Sequence, residues 1–403
     1  MISLDTALQR YAERLAPLPV QTCPLAAALG RVLAEAPAAQ TDLPPFTQSA
    51  VDGYALHHAD LVDATEASPV RLPLVGEVAA GAATVPALQR GTALRIFTGG
   101  ALPAGADTVA RQEIVERDDA EVRLRQPLPV HADTRLRGEE LTGGTPLAAP
   151  GTRVTPGVIA ALAMAGVGAV QVHRAPRLAL LVTGDEVARA GEPLQPGQIF
   201  DANGPLLQAW CRQRLGQTPP LHVVADTLAA TRAALEQALA EADLVITTGG
   251  VSVGDHDHVR AAAVALGVEE VFWRVAQKPG MPLYFGQRGA AAVIGLPGNP
   301  GAVMVGLQVH VERMLSWLEG AGATTPAWRA GVLSTAVRGD ARRELLMRMR
   351  VTVDAAGVAQ LQPLDRQASH MLSNLTEANA LVRITAPDLA AGTRVSWIPL
   401  GAT

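Results

Sequence analysis

A glycine-rich segment, Thr-Gly-Gly-Val-Ser-Val-Gly at residues 248–254, follows the apolar run at residues 244–247. Glycine lets a backbone turn sharply and approach a ligand closely, and the N–H groups at the start of a following helix favour an anion. The spacing matches neither the dinucleotide-binding nor the Walker-type glycine pattern. We interpret the segment as an anion-binding loop, with a ligand-free tight turn as the alternative.

Carboxylates follow three predicted strands. Asp257 comes after the glycine-rich segment, Glu186 belongs to Thr-Gly-Asp-Glu after residues 178–182, and Asp226 comes after residues 221–224. The carboxyl ends of parallel strands share one edge of a sheet, so these acids are expected close together. Mg²⁺ prefers oxygen ligands, which favours a divalent-cation site there. Helix capping is the alternative for each acid alone.

Lys278 is the only lysine and lies in Gln-Lys-Pro-Gly-Met-Pro, where two prolines restrict the backbone. A compact ammonium in a stiff loop could hold an oxyanion, whereas a solvated surface turn is the alternative.

Pro297, Gly298 and Asn299 form either a pocket wall or a structural turn. Asp52 and Thr98, taken alone, favour turn chemistry over catalysis.

Element patterns predict an α/β plus β protein. A helix from Ser3, a short helix at residues 24–33 and a helix from Thr155 flank a β-rich stretch at residues 51–136. From residue 176, apolar strands alternate with helices, which is typical of a parallel sheet covered on both faces. Short alternating runs from residue 328 predict a small β-barrel or sheet.

Composition narrows the function classes. Lys+Arg 33 against Asp+Glu 38 gives a net charge of −5, which disfavours nucleic acid as the main partner. Two distant cysteines exclude a disulfide scaffold and a cysteine-rich zinc site, and favour a cytoplasmic location. The two longest uncharged stretches contain proline and several polar or glycine residues, so no membrane span is expected.

Five motifs occur in order between Pro44 and Pro300: Pro-Pro-Phe-x-x-Ser-x-x-Asp-Gly-Tyr-Ala, Thr-Gly-Asp-Glu, Gly-Gln-Ile-Phe-Asp-x-Asn, Gly-Gly-Val-Ser-Val-Gly-Asp-x-Asp and Leu-Pro-Gly-Asn-Pro. This set resembles the molybdopterin molybdenumtransferases, the MoeA and gephyrin E-domain family. The resemblance implies an elongated four-domain homodimer whose site lies between the α/β domain of one subunit and the β domain of the other. The implied parts are a discontinuous N-terminal domain (1–45 and 141–175), an inserted β domain (46–140), a three-layer α/β/α, MogA-like molybdopterin-binding domain with a parallel sheet (176–325) and a C-terminal β-barrel-like domain (326–403).

The family inserts molybdate into adenylylated molybdopterin in a Mg²⁺-dependent reaction that releases AMP and yields molybdenum cofactor. The resemblance therefore implies roles for individual residues, in three groups. The catalytic group is Asp257, Lys278, Arg348, Ser369, Asp52 and Thr98; the substrate-binding group is Gly249, Gly250, Ser252, Gly254, Asp201, Asn203, Pro297, Gly298 and Asn299; and the metal group is Glu186, Asp226 and Asp257.

Two departures from the family pattern are visible. Met281 stands where the family often has a second loop lysine, which removes one cation and for which Arg274 or Arg350 could compensate; Glu140 replaces a common aspartate. Molybdate and tungstate remain candidate substrates. Two other functions remain open: a molybdopterin adenylyltransferase, and a catalytically silent pterin-binding scaffold. A molybdopterin adenylyltransferase and molybdoenzymes are possible partners.

Overall fold

The computed structural model describes residues 1–251, 258–322 and 326–401. Its first helix is Leu4–Arg14, which begins where the Ser3 hydroxyl accepts a hydrogen bond from the Thr6 backbone N–H. Leu4, Leu8 and Tyr11 lie on one face of this helix and are fully buried. Their packing joins the N-terminus to the largest apolar core of the molecule.

The predicted helix at residues 24–33 is wrong. Val20–Pro24 is a strand paired antiparallel with Ala169–His173, and Leu25–Ala27 is a single 3₁₀ turn. The strand Val20–Pro24 forms its backbone hydrogen bonds with a strand that is distant in sequence. Local propensity does not predict such a pairing. The other N-terminal helix, Pro156–Met164, is capped by Thr155 as expected.

The β-rich stretch forms a six-stranded sheet. The sequence patterns at residues 70–78, 92–97, 108–111 and 122–124 predict strands, and all four are present; two further strands complete the sheet. Tyr54, Leu72 and Val122 belong to an apolar cluster packed on this sheet. The spatial order is Thr108–Arg111, Gly53–Leu56, Ala93–Ile96, Val70–Val78, Glu121–Leu124 and Glu116–Arg117.

The central sheet has six strands and is mixed, which corrects the prediction of a parallel sheet. Tyr284–Arg288 pairs antiparallel with Ala291–Leu296, and Glu269–Trp273 pairs antiparallel with Tyr284–Arg288. A two-residue turn with Gly289 at φ +58° produces this reversal. The order is Leu221–Val224, Leu178–Thr183, Leu244–Thr248, Ala291–Leu296, Tyr284–Arg288 and Glu269–Trp273, with the first four strands parallel.

Side chains alternate between two cores across this sheet. Leu180 packs in one apolar cluster and Leu181, its neighbour, in another, because successive residues of a strand point to opposite faces. Buried strands with apolar residues on both faces need helices on both sides. Asn203–Leu215 and the continuous helical segments Pro300–Val305, Gly306–Val311 (a π turn) and Glu312–Leu318 cover one face; Leu228–Glu241 and His258–Ala265 cover the other.

The C-terminal region contains a closed five-stranded barrel. Glu344–Val353 pairs with both Ala359–Pro363 and Ala380–Ile384, and Arg329–Leu333 and Arg394–Pro399 complete the ring. Gln277–Lys278 from the central region adds to this barrel beside Glu344 and Leu345. In the described parts of the chain, no helix is long and apolar enough to cross a membrane.

The remaining strands are two-residue pairs. They are Gln48–Ser49 with Thr134–Arg135, Val187–Ala188 with Ile199–Phe200, and Val337–Arg338 with Asp388–Leu389.

Candidate functional site

A cavity of about 590 Å³ lies at the carboxyl edge of the four parallel strands. This is the position at which open α/β sheets bind ligands, because the loops after the strands converge there. Eight of the predicted site residues line it: Glu186, Asp201, Asn203, Asp226, Gly249, Gly250, Gly298 and Asn299. The tertiary structure thus brings together five loops that are up to 113 residues apart in sequence (299 − 186 = 113).

The glycine-rich loop enters the cavity in a conformation that requires glycine. Gly249 and Gly250 have φ values of +85° and +64°. A Cβ on Gly249 would lie 2.9 Å from the carbonyl oxygen of Thr183. Any larger residue would therefore force two strand ends apart. Ser252, Gly254 and Asp257, predicted in the same loop, lie outside the described residues.

The adjacent acids Asp185 and Glu186 have different environments. Asp185 accepts a hydrogen bond of 3.1 Å from the backbone N–H of Asp226, so it ties two loops together. Glu186 and Asp226 both line the cavity. Their carboxylate oxygens are the donor type that Mg²⁺ prefers, and the same cavity therefore suits a divalent cation.

Asp201 and Asn203 organise another part of the cavity lining. The Asp201 carboxylate accepts hydrogen bonds from the backbone N–H groups of Asn203 and Gly204, at 2.9 and 3.0 Å. The Asn203 amide donates to the Gly298 carbonyl at 2.7 Å. The Asn203 side-chain oxygen is buried and has no hydrogen-bond partner among the described residues, which leaves it available to a ligand. Pro297 is buried and does not line the cavity.

A segment of the C-terminal barrel region completes the cavity, with His370 and Leu372 in its wall. The buried Arg348 guanidinium holds this segment by donating to the carbonyls of Met371, Arg366 and Ala368, at 2.6, 2.9 and 3.1 Å. Burial lowers the pKa of Arg348, and no carboxylate among the described residues pairs with it. Arg348 therefore lies behind the cavity wall.

Ser369 also contacts the sheet side through its backbone. Its carbonyl accepts a hydrogen bond of 2.8 Å from the Gly301 N–H. A Cβ on Gly301 would lie 2.7 Å from that carbonyl oxygen and 3.1 Å from the Arg348 Nη1 atom. Glycine at residue 301 thus permits the close approach of the barrel segment to the cavity, although Ser369 itself does not line it.

Lys278 is exposed and lies outside the cavity lining. No carboxylate within the described ranges forms an ion pair with it, so its ammonium is available to an anion. A Cβ on Gly280 would lie 3.9 Å from Ala302, in the helix that follows the Asn299 loop. The loop carrying Lys278 is therefore a neighbour of the cavity wall.

Asp52 and Thr98 form a pair in the six-stranded sheet region. The backbone N–H and the hydroxyl of Thr98 both donate to the Asp52 carboxylate, at 2.8 Å each. These hydrogen bonds from Thr98, the backbone one first, lower the pKa of Asp52. Neither residue lines the cavity of its own chain.

A second cluster of potential metal ligands consists of His57, His58 and Asp107. The His58 Nδ1 atom lies 2.6 Å from an Asp107 oxygen, which is a direct hydrogen-bond distance. The His57 Nδ1 atom accepts from the Ala59 N–H, and its Nε2 atom lies 3.3 Å from an Asp107 oxygen. The cluster is a self-satisfied hydrogen-bonded turn, and we assign no metal to it.

Two other cavities, of about 460 and 520 Å³, lie elsewhere, the first on the α/β part of the chain and the second between that part and the C-terminal region. One lies beside the edge strand Leu221–Val224 and the other beside Trp210 and Ser316. None of the predicted site residues lines either of them. The predicted site residues therefore distinguish the cavity at the strand ends from these two cavities.

Sequence reasoning missed several cavity residues, notably His370, Leu372, Ile199 and Phe200. Ile199 and Phe200 belong to the motif Gly-Gln-Ile-Phe-Asp-x-Asn, which was the available sequence signal, and the structure leaves them 57 % and 49 % exposed. His370 follows the predicted Ser369. Only the tertiary structure places His370 and Leu372 beside a cavity whose other lining residues fall within residues 182–300.

The fold and the cavity define a multidomain α/β and β protein with an acidic, glycine-lined site. Comparison with family models gives three matches: the MoeA N-terminal region (domain I and II) at residues 2–166, a probable molybdopterin binding domain at residues 179–317, and the MoeA C-terminal region (domain IV) at residues 330–400. A crystal structure of a molybdopterin biosynthesis MoeA protein from Pyrococcus horikoshii is similar, with a TM-score of 0.84, 29 % identity and 99 % of both chains covered.

Curated relatives agree with these matches. A molybdopterin molybdenumtransferase from Staphylococcus epidermidis is 30 % identical over 95 % of this chain and 91 % of its own length. Molybdopterin molybdenumtransferase 2 from Mycobacterium tuberculosis is 33 % identical, with 93 % of each chain covered. The chain belongs to the molybdopterin molybdenumtransferase (MoeA) family, and it is a transferase.

Proposed function

We propose that this chain transfers molybdenum from molybdate to adenylylated molybdopterin and releases AMP, which yields molybdenum cofactor. Its family membership over nearly the whole chain is the observation that carries the proposal. The cavity at the strand ends supports it, because a glycine-lined loop suits phosphate and the Asn203 oxygen can accept from a pterin N–H group.

We propose Glu186 and Asp226, with Asp257, as the residues that hold Mg²⁺. A bound divalent cation neutralises charge on phosphate oxygens. The fit is supported by the carboxylate residues that line the cavity, with Asp185 holding the Asp226 backbone in place. The phosphates would be approached by the glycine-rich loop, at Gly249, Gly250, Ser252 and Gly254. The pterin would be contacted by Asp201, Asn203, Gly298 and Asn299, the last two of which follow the buried Pro297.

Lys278 is proposed to hold molybdate, a tetrahedral dianion. Two observations support this role: the ammonium forms no ion pair with a described carboxylate, and its loop passes close to the helix that follows the Asn299 loop. For Arg348 and Ser369 the geometry favours positioning of the barrel segment that carries His370, because three guanidinium N–H contacts and the Ser369 carbonyl are committed to protein groups.

We further propose a cytoplasmic homodimer in which Asp52 and Thr98 reach the cavity of the other subunit. Their absence from the cavity lining of their own chain supports a contribution between subunits. The division into the four parts given above also stays a proposal, as do a molybdopterin adenylyltransferase and molybdoenzymes as partners.

The decisive experiment measures AMP release from adenylylated molybdopterin with Mg²⁺, in the presence and absence of molybdate. Release that depends on molybdate and on Mg²⁺ is expected. Asp226→Asn should keep the melting temperature and lose most of the release, whereas Asp63→Asn, which changes an exposed acid of the β-rich region, should retain it. Consumption of ATP with AMP transfer to molybdopterin would instead indicate an adenylyltransferase, and pterin binding without release would indicate a scaffold.

A further inference from the structure

A chain of buried polar groups connects the N-terminal helix to the loop that carries Lys278. The Tyr11 hydroxyl lies 2.9 Å from His310 Nδ1, and His310 Nε2 lies 2.8 Å from Gln277 Oε1. The Gln277 amide nitrogen lies 3.3 Å from the carbonyl oxygens of both Pro279 and Gly280. Tyr11, His310 and Gln277 have no solvent exposure.

The carbonyls of Pro279 and Gly280 determine the direction of every hydrogen bond in this series of buried polar groups. Pro279 and Gly280 offer only acceptors, so the Gln277 amide nitrogen must face them and its oxygen must face His310. His310 therefore donates from Nε2, which leaves Nδ1 to accept from the Tyr11 hydroxyl. Burial lowers the pKa of His310 to about 3, so the neutral ring required by this arrangement persists across the physiological range.

The same loop has a second attachment to the N-terminus. The Ile2 N–H donates to the Arg274 carbonyl at 3.1 Å, and the Ala276 N–H donates to the Ile2 carbonyl at 2.8 Å. On the other side, the Glu344 N–H donates to the Ala276 carbonyl at 3.0 Å. The residues before Lys278 are therefore held by backbone bonds, and the residues after it are held by Gln277.

We infer that Tyr11, His310 and Gln277 are positioning residues that fix the Lys278 loop for binding of an oxyanion. The inference rests on the proposed role of Lys278. The buried Gln277 amide bonds the carbonyls of Pro279 and Gly280 and therefore restricts the loop after Lys278. His310 holds that amide in the orientation that allows both hydrogen bonds. His310 lies in the π turn Gly306–Val311, a helix irregularity that recurs at functional sites.

The absence of any other lysine provides a direct probe. Reductive methylation with ¹³C-formaldehyde labels Lys278 and the N-terminal amine only, so one side-chain signal reports the loop by NMR. We expect a single sharp Lys278 resonance that shifts when sodium molybdate is added to the full chain with bound adenylylated molybdopterin.

Matched variants separate positioning from stability. His310→Leu and Gln277→Met remove the polar chain, and each should move or broaden the Lys278 resonance and weaken molybdate binding about tenfold, the loss expected for one buried hydrogen bond. His310→Gln should restore the wild-type signal, since an amide can accept from Tyr11 and donate to Gln277. Val309→Ala, an apolar change at a buried neighbour in the same π turn, should leave both readouts close to wild type.

The outcomes distinguish the two proposals. A wild-type Lys278 resonance and wild-type molybdate affinity in folded Gln277→Met and His310→Leu would overturn the positioning role. A wild-type resonance that does not respond to molybdate would instead refute the role of Lys278, while the variants would still report whether the loop moves. Tyr11→Phe removes a single oxygen and keeps the test usable if the other variants do not fold.

Discussion

Neighbouring residues have different roles in and beside this site. Asp185 holds a backbone while Glu186 lines the cavity, and Gln277 is fully buried while Lys278 is exposed. The sequence located both pairs, because acids after a strand and a lone lysine before two prolines are unusual. It could not assign one function to each member, because that depends on which way a strand end turns.

Met281 should limit the affinity for molybdate. Met281→Lys would add a second cation to the Lys278 loop, and a half-exposed charge of this kind contributes under about 1 kcal/mol, equivalent to a roughly threefold lower KM for molybdate. Steady-state AMP release at varied molybdate would measure it. Met281→Leu is the matched control, and an equal effect of both changes would contradict the electrostatic explanation.

His310 should make stability depend on pH. Burial holds its native pKa at about 3, whereas the unfolded chain protonates near the ordinary value of 6.5. The unfolded state thus binds more protons between these values, so the free energy of unfolding falls by up to about 1.4 kcal/mol per pH unit as pH decreases from 6.5 towards 3. Urea unfolding at pH 7 and pH 5 should show a smaller decrease for His310→Gln than for wild type.

At the scale of elements, one acid joins two segments of the chain that are distant in sequence. Asp243 precedes the strand Leu244–Thr248 and accepts from the Arg174 guanidinium through both oxygens, at 2.8 Å each. It also accepts from the Arg177 N–H at 2.8 Å. Burial opposes its ionisation, but the hydrogen bonds from Arg174 and Arg177 prevail and lower its pKa to about 2. The central strand is thereby attached to the segment that leads from the N-terminal part.

Asp243→Asn should lower the free energy of unfolding by about 2 kcal/mol at pH 7, because the native pKa lies about two units below the ordinary value. The stabilisation exists above the unfolded pKa of about 4 and disappears as pH falls towards 2. Chemical denaturation at pH 7 and at pH 3 would measure the loss. An equal difference between variant and wild type at both pH values would show that the charge is not responsible.

At the scale of the whole molecule, the cavity combines loops of the central sheet with a segment of the barrel region. Arg348 and Gly301 allow the close approach of these two parts. The N-terminal helix contacts both of them, because Tyr11 bonds His310 of the central part and Asp5 accepts a hydrogen bond of 2.9 Å from Arg383 of the barrel. Asp52 and Thr98 do not line this cavity. The proposed homodimer would supply them from the second subunit.

Subunit complementation should reveal this arrangement. Asp52→Ala and Asp226→Ala should each be inactive alone, but mixed subunits should recover part of the activity, because one of the two cavities then has both native residues. Recovery would be measured by molybdate-dependent AMP release after exchange of differently tagged subunits. A folded, mixed dimer without recovery would place both residues in one chain's site, and a monomer by light scattering would refute the dimer.

The sequence by itself determined the class of protein, most helices and strands, and eight of the cavity residues, because apolar periodicity, capping residues and glycine-rich motifs act over short distances. The mixed sheet, the missing helix after Val20–Pro24 and the contributions of His370 and Phe200 were decided by the tertiary structure. Each depends on a partner far away in the chain. Strand pairing and cavity lining arise from such long-range contacts, which local pattern does not encode.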